Sequence, residues 1–407
     1  MTSKGRARMA VAGACAAIFW PGAFIFSLPG VLGGSWQELF GAGRADVGRS
    51  LFFVLAGAGT LMFLVGRFQV RIGTRRLAAV GGLLTGTSTI LLGSVSGVSG
   101  VYAWAFVVGA ASAFVYLPGL TVVQQWFPGR RGLVSGLFNL CFGFSAAVMS
   151  PVFGGLLPLL GPARLTVVFG AASLVCGLAV APLLRGPGRE ERPEVEGPGA
   201  VRTSSAPLTV TGSVRTRAFW CLWFTWSLAG AGGISMVILS TAFGTSRGLS
   251  VQEAVVLLTA FNLTNGLGRF TSGYLSDRAG RRRVMGISFA AAGLAYWTLP
   301  WVQGTAWWAF LAAVVGYAFG TLFAVSGPLA SERFGLENFG AVFGLIFTAY
   351  GFTAGILGPW MSGVILDRTG GDFGLVFGYL GVFFLLAAFA MAVMGPAPAA
   401  EPVGAAD

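Results

Sequence analysis

The chain alternates between long apolar runs and short polar connections. A helix rises about 1.5 Å per residue, so about 20 apolar residues are needed to cross the hydrocarbon of a bilayer. Twelve runs approach or exceed that length, and we number them spans 1 to 12. They lie near 9–33, 48–66, 77–96, 99–124, 132–157, 163–184, 217–243, 251–275, 284–302, 305–330, 337–364 and 373–395. The pattern predicts an all-α integral membrane protein with twelve transmembrane helices.

One long polar stretch, residues 185–216, divides the spans into two sets of six. It is rich in Pro, Gly and charge, a composition that is typical of a mobile linker. We therefore predict an N-terminal six-helix bundle over 1–184 and a cytoplasmic linker over 185–216. A C-terminal six-helix bundle with a short polar tail is predicted over 217–407.

An internal repeat relates the two sets. GRFQVRIGTRR at 66–76 matches GYLSDRAGRRR at 273–283 with an offset of 207, and GLFNLCFGFSAAVMSP at 136–151 matches GLIFTAYGFTAGILGP at 344–359 with an offset of 208. Chance similarity between Gly-rich apolar helices is the alternative, but two separated motifs with nearly one offset favour a true repeat. The repeat predicts two parallel six-helix halves about an axis along the membrane normal.

Composition and charge support a lipid environment. Of 407 residues, 55% are hydrophobic and only 10% are charged, whereas soluble domains carry about 25% charged residues. The net charge of +12 would suit nucleic acid only if a soluble basic face displayed it, so we predict the bilayer as a partner and no nucleic acid.

The distribution of basic residues predicts the topology. With both termini in the cytoplasm, 20 Lys and Arg residues lie on the inner side and five on the outer side. This is the bias of the positive-inside rule. The abundance of Gly, Ala and Arg points to a GC-rich prokaryotic gene, and thus to a multi-pass protein of the prokaryotic plasma membrane.

Neither an enzyme nor a metal site is predicted. The chain has no His, and its cysteines, Cys15, Cys141, Cys176 and Cys221, lie in apolar runs with spacing that fits no zinc or redox motif. Paired carboxylates and nucleophile constellations are missing at membrane depth. We predict no cofactor and interpret the cysteines as small core residues.

The loop motifs resemble a known family. The pattern G-x-x-x-D-R-x-G-R-R-R at 273–283 resembles the loop signature of the major facilitator superfamily, and its counterpart lies between spans 2 and 3. The resemblance implies the major facilitator fold and a gating role for Gly66, Arg71, Gly73, Asp277, Arg278 and Gly280. Val70 stands where the signature usually has Asp, so a charge lock is expected only around Asp277. Anchoring by cytoplasmic arginines is the alternative role for both loops.

Two longer stretches narrow the resemblance. QQWFPGRRGLVSGL at 124–137 and RFGLENFGAVFGLIFTAYGF at 333–352 resemble the bacterial oxalate/formate antiporters and the monocarboxylate transporters. The resemblance implies transport of a small organic anion by alternating access.

Arg269 is the one charged residue that cannot be placed at the end of a predicted span or outside it, since it lies about 9 Å from the end of span 8 at Leu275. A charge at such depth costs about 2.5–3.5 kcal/mol on insertion scales and usually marks a substrate or ion pathway. Asn262, Asn265, Arg269 and Ser272 recur on one helical face. Snorkelling of Arg269 to the interface is the alternative; we favour binding of a substrate carboxylate.

The family resemblance and the residues together suggest the substrate. Monocarboxylate and oxalate carriers have an Arg at this place, and oxalate carriers add a Lys in span 11, where this chain has Tyr350. One cation suits one carboxylate, so a monocarboxylate such as L-lactate, pyruvate or acetate is predicted. Further candidate contacts are Asn265, Tyr116, Tyr317, Tyr350, Leu28 and Asn139, with core packing as the alternative for each.

Coupling to protons is expected from the resemblance but has weak support in the residues. Monocarboxylate transporters typically carry an Asp four residues before the Arg and a Lys in span 1; this chain has Asn265 and no Lys there. A proton could pass with the substrate or by way of Glu38 and Asp46. Proton symport is the favoured mode, and exchange of the oxalate/formate type is the alternative.

Overall fold

The computed structural model describes residues 3–41, 44–188, 209–249 and 251–395, and within these ranges every regular element is a helix. The α-helices are α1 Ser3–Phe26, α2 Leu28–Phe40, α3 Arg44–Ile72, α4 Thr74–Leu92, α5 Val98–Trp126, α6 Arg131–Val180, α7 Val210–Val214, α8 Arg217–Ser246, α9 Val251–Ala279, α10 Arg281–Thr298, α11 Thr305–Phe334, α12 Phe339–Thr348, α13 Met361–Thr369 and α14 Phe373–Val393. Most of the predicted linker and the polar tail lie outside the described residues.

These helices correspond to the twelve predicted spans, and the predicted fold is confirmed. Span 1 is α1 and α2, separated at Ser27. Helix α6 contains spans 5 and 6, with a non-helical glycine, Gly161 (φ 69°), between them. Among the described residues, seven helical stretches are long and apolar enough to cross a membrane by length and hydropathy alone. Helix α9, which carries the polar stripe, is not one of the seven.

Span 11 departs from regular α-helix. Between α12 and α13 the backbone forms two π-helical stretches, Ala349–Ala354 and Ile356–Trp360. Pro359, in the second stretch, lacks the N–H that an α-helical bond would need. Short π-helical stretches occur frequently at functional sites, and the first one contains the candidate residue Tyr350.

The chain packs as two units. The first comprises Met1–Trp126 and Leu137–Arg192, and the second comprises Phe127–Gly136 and Pro193–Asp407. The start of α6 therefore packs with the C-terminal unit, although the sequence assigns it to the N-terminal bundle. The four cysteines are free thiols.

Candidate functional site

Arg269 lies inside the second unit, where it is only 2% exposed. Its position follows from the close approach of α9 and α11 at glycine. A Cβ atom built on Gly320 would collide with the backbone carbonyl oxygen of Asn265 and lie 3.0 Å from the backbone nitrogen of Arg269. Small residues at such positions let transmembrane helices approach closely. The contact brings Phe323, almost one turn further along α11, to the Arg269 side chain.

Among the contacts of the Arg269 guanidinium, one with a polar group and one with an aromatic ring bear on its orientation. Its Nε donates a hydrogen bond to Asn265 Oδ1 at 3.2 Å. Its central carbon lies 4.4 Å from the centroid of the Phe323 ring, a distance typical of cation–π contacts. Asn265 and Arg269 are one turn apart on α9, so both partners are fixed by regular helix geometry.

An aromatic cluster from spans 7, 10 and 11 lies beside this position. Phe323 of α11 and Tyr350 of the π-helical stretch have ring centroids 5.5 Å apart. Trp226 of α8 lies 4.9 Å from Phe323 and 5.4 Å from Tyr350, and Phe347 lies 5.4 Å from Tyr350. Tyr350 thus lies in one aromatic cluster with Phe323, which contacts Arg269. The sequence interpretation did not single out Trp226, Phe323 or Phe347. The repeat could have indicated Phe323, because it stands 207 residues after the candidate Tyr116.

The polar stripe of α9 runs from the surface into the interior. Asn262 is exposed, Asn265 is half-buried, and Arg269 and Ser272 are buried. Helix α9 continues to Ala279, which is about 15 Å beyond Arg269 and past the predicted end of span 8 at Leu275. A buried guanidinium at this distance does not have the placement of a snorkelling side chain, whose head group reaches water.

Tyr317, a candidate substrate contact from the sequence, does not lie with Arg269 in the structure. Its hydroxyl accepts a hydrogen bond from Thr271 Oγ1 at 3.4 Å. Thr271 is two residues after Arg269, which corresponds to about 200° around the helix. Tyr317 therefore faces the opposite side of α9 and does not join the cluster around Arg269. The sequence placed it in the correct helix but could not fix the rotation of that helix.

The remaining candidates lie in the first unit. The Tyr116 hydroxyl donates to Asn139 Oδ1 at 3.0 Å, and both residues are buried. Leu28 is also buried and is the first residue of α2, directly after the break at Ser27. Tyr116 and Asn139 thus form a hydrogen-bonded pair, and Leu28 marks the interruption of span 1.

The loop motif of the second unit is built around Asp277. Its two carboxylate oxygens accept hydrogen bonds from the Gly132 and Leu133 backbone N–H groups, each at 2.9 Å. These groups belong to the first turn of α6, where a carboxylate caps unsatisfied donors and complements the helix dipole. A Cβ on Gly132 would lie 2.7 Å from Asp277 Oδ1, so this cap requires glycine.

Arg281 extends the Asp277 cap into an ion network. Its Nη1 lies 2.9 Å from Asp277 Oδ1, and its Nε lies 2.6 Å from Glu332 Oε1. Both carboxylates and Arg281 act electrostatically on Arg131, the first residue of α6. Arg278 instead packs over the Tyr274 ring, with 4.3 Å between the guanidinium carbon and the ring centroid. The charge lock expected around Asp277 thus has a defined geometry.

The matching loop of the first unit has the same turn without the network. Gly73 (φ 89°) precedes α4 as Gly280 (φ 90°) precedes α10, and both need a residue that tolerates positive φ. Gly66 is buried and Arg71 is exposed. Val70, at the position of Asp277, is 77% exposed.

The two candidate proton carriers, Glu38 and Asp46, lie on α2 and α3. Glu38 is an exposed residue near the end of α2. The side chain of Asp46 lies outside the described part of the chain.

Comparison with known proteins agrees with this architecture. A model of the Major Facilitator Superfamily matches residues 9–258 and 229–407. The chain is similar to the oxalate:formate antiporter of Oxalobacter formigenes, with 25% identity over 334 residues, which cover 81% of this chain and 78% of that protein. It is also similar to monocarboxylate transporter 11 of Homo sapiens, with 28% identity over 339 residues, 79% of this chain and 69% of that protein.

Solved structures share the fold at low sequence identity. The human organic anion transporter MFSD10 superimposes with a TM-score of 0.72 and 16% identity, covering 95% of this chain and 99% of that one. The E. coli fucose:proton symporter FucP superimposes with a TM-score of 0.69 and 15% identity, covering 95% and 98%. The likeness at these identities concerns the fold.

Proposed function

Since the chain belongs to the Major Facilitator Superfamily and is a multi-pass membrane transporter rather than an enzyme, we propose that it carries small monocarboxylates such as L-lactate, pyruvate or acetate. The names of two relatives, an oxalate:formate antiporter and a monocarboxylate transporter, support carboxylates as the substrate class. Arg269 is the residue that binds the carboxylate.

The observation that carries this proposal is the buried guanidinium of Arg269, with its Nε on Asn265 and its face on Phe323. These two contacts fix the plane of the guanidinium. Arg binds carboxylates with parallel hydrogen bonds in that plane. The Nη groups can therefore donate hydrogen bonds to a substrate carboxylate in a defined orientation. The aromatic cluster limits the access of water to this position.

The charge balance favours one carboxylate over two. Arg269 is the only charged residue within the interior of the predicted spans, and Tyr350 occupies the place where oxalate carriers have a second cation. Aromatic rings such as Trp226 and Phe323 cannot neutralise a second anion. A buried charge without a partner costs several kcal/mol, so a dicarboxylate would bind at a penalty that a monocarboxylate avoids.

Transport follows from alternating access between the two repeats. A bound carboxylate neutralises Arg269 and lowers the cost of closing the site around it. Symport with a proton is the mode we propose, and Asn265, which replaces the usual carboxylate, cannot be the residue that carries the proton. We place the protein in the plasma membrane of a prokaryotic cell, with both termini in the cytoplasm. The arginine distribution favours this orientation.

The test is uptake of labelled L-lactate into proteoliposomes with an outside-acid pH gradient. Arg269→Gln should lower the initial rate about 30-fold or more, because truncating one member of a buried charge pair costs about 2–5 kcal/mol. Arg164→Gln is the matched control, since Arg164 is exposed at the start of span 6. Equal rates for Arg269→Gln and the unmodified protein would overturn the site. Uptake that ignores the imposed gradient would overturn symport.

Exchange of the oxalate/formate type is the second candidate, and the similarity to the Oxalobacter antiporter favours it. An exchanger takes up label only when a counter-substrate is loaded inside the vesicles. If lactate is not transported while oxalate exchanges for internal formate, the substrate proposal falls and the exchange function replaces it.

A further inference from the structure

A groove between α10 and α14 lies in the second unit, away from Arg269. It has a volume of about 420 Å³ and is lined on α10 by Arg282, Arg283, Gly286 and Ile287, and on α14 mainly by Ala388 and Met391. Its size lies in the range of ligand sites, about 300–1,000 Å³. Within the described structure its lining contains two cations, apolar residues and no carboxylate.

One end of the groove carries an excess of positive charge. Arg282 is anchored there, because its Nε and Nη2 donate to the carbonyl oxygens of Met391 at 2.9 Å and Ala392 at 2.7 Å. Arg283 is exposed beside it. Burial and the nearby Arg282 lower the pKa of Arg333, whereas the Glu332 carboxylate acts in the opposite direction. The neighbouring Arg281 differs, since Asp277 and Glu332 neutralise it.

The rest of the groove is apolar, and large apolar side chains on the same two helices are exposed. Ile287 is 72% exposed, and further along the same two helices Leu294 is 56% exposed and Phe389 is 64% exposed. In a membrane protein such side chains contact acyl chains. A Cβ on Gly286 would meet only ordinary neighbours, Met391 Cβ at 3.7 Å and the Ala388 carbonyl oxygen at 3.9 Å, so glycine here leaves the floor open.

We propose that this groove binds one anionic phospholipid, with its phosphate at Arg283 and Arg282 and an acyl chain along Gly286 and Ile287. The guanidinium groups match a phosphodiester by charge-assisted hydrogen bonds. Basic pockets between transmembrane helices recognise anionic head groups in this way. The surplus positive charge favours a net anionic lipid over a zwitterionic one, and the apolar floor favours a lipid over a free phosphate.

The experiment is native mass spectrometry of the full chain in detergent, titrated with phosphatidylglycerol or phosphatidylethanolamine. Arg283→Gln should weaken retention of phosphatidylglycerol about fivefold, as expected for the loss of one basic contact. Arg76→Gln is the matched control, because Arg76 is exposed and stands at the equivalent repeat position, 207 residues earlier. Its phosphatidylglycerol retention should be unchanged.

Two further measurements separate the parts of the proposal. Gly286→Leu should fill the floor and reduce lipid retention, with size-exclusion elution and melting temperature showing that the variant is folded. The soluble head group glycerophosphoglycerol should bind much more weakly than the lipid. Three results would each overturn the proposal. The first is equal retention of the two lipids, and the second is an equal loss of phosphatidylglycerol retention in Arg76→Gln and Arg283→Gln. The third is binding of the soluble head group as tightly as the lipid.

Discussion

The loops 66–76 and 273–283 occupy equivalent places in the two repeats but differ in charge. The second loop holds Asp277 and Arg281 in contact with each other and with α6 and α11. At the offset of 207, the first loop has Val70 and Thr74 instead, and Gln125 stands for Glu332. Every member of the ion network has a neutral counterpart, while the glycines with positive φ, Gly73 and Gly280, are kept.

The difference separates features that the helical fold requires in both repeats from charged groups that are present in only one of them. The glycine turn is kept in both loops because the backbone conformation between consecutive helices requires it. The ion network is present once. The same asymmetry holds at membrane depth, where Arg269 corresponds to Met62, which is 1% exposed. The ion network and the charge at membrane depth thus belong to one repeat, and each difference between the repeats can be tested by exchanging residues.

The largest effect is expected for Arg269→Met, which gives the second repeat the residue of the first. Uptake of lactate should fall by about 30-fold or more. The double variant Met62→Arg with Arg269→Met should remain inactive, because position 58, the counterpart of Asn265, is Ala58 and offers no acceptor for Nε. Lactate flux into proteoliposomes measures both variants. Recovery of transport in the double variant would contradict this and show that an arginine in either repeat can serve the site.

The next effect concerns the approach of α9 and α11. Gly320→Leu forces a side chain against the Asn265 carbonyl and the Arg269 backbone, and overpacking costs about 1–3 kcal/mol. The melting temperature should fall and transport should be lost. Gly363→Leu is the control, since a Cβ there meets open space; a similar fall in the control would point to a general effect of a larger side chain.

A smaller effect is expected at the ion network. Asp277→Asn removes a charged acceptor of two backbone hydrogen bonds and the partner of Arg281, and hydrogen bonds to charged groups contribute about 1.5–3 kcal/mol. The melting temperature should fall, whereas Val70→Asp, on an exposed position, should change it little. Equal melting temperatures for Asp277→Asn and the unmodified protein would contradict the charge-lock account.

The smallest effects separate the two candidate tyrosines of the second unit. Tyr350→Phe makes the position like its repeat counterpart Phe142 and should raise the KM for lactate about 2- to 10-fold, the worth of one hydrogen bond. Tyr317→Phe should leave KM unchanged, because that hydroxyl contacts Thr271 on the other side of α9. A larger shift for Tyr317→Phe would contradict the assigned rotation of α11.

The sequence predicted the spans from the length of the apolar runs, and it singled out Arg269 because that residue is a lone charge within one of these runs. Both signals can be read along the chain without knowledge of the fold. It could not predict the aromatic cluster. Rings occur in most spans, and uniformly apolar helices such as α11 give no periodicity to show that Phe323 rather than Tyr317 meets Arg269. The contact of Asp277 with Gly132 joins residues 145 positions apart, which no local pattern encodes.

Equilibrium binding of labelled L-lactate to the purified protein tests the central claim most directly, since it measures the Arg269–carboxylate contact without transport. Arg269→Gln should abolish saturable binding, and Arg164→Gln should bind as the unmodified protein does. An unchanged Kd in Arg269→Gln would contradict the account and assign the buried guanidinium a role in packing alone.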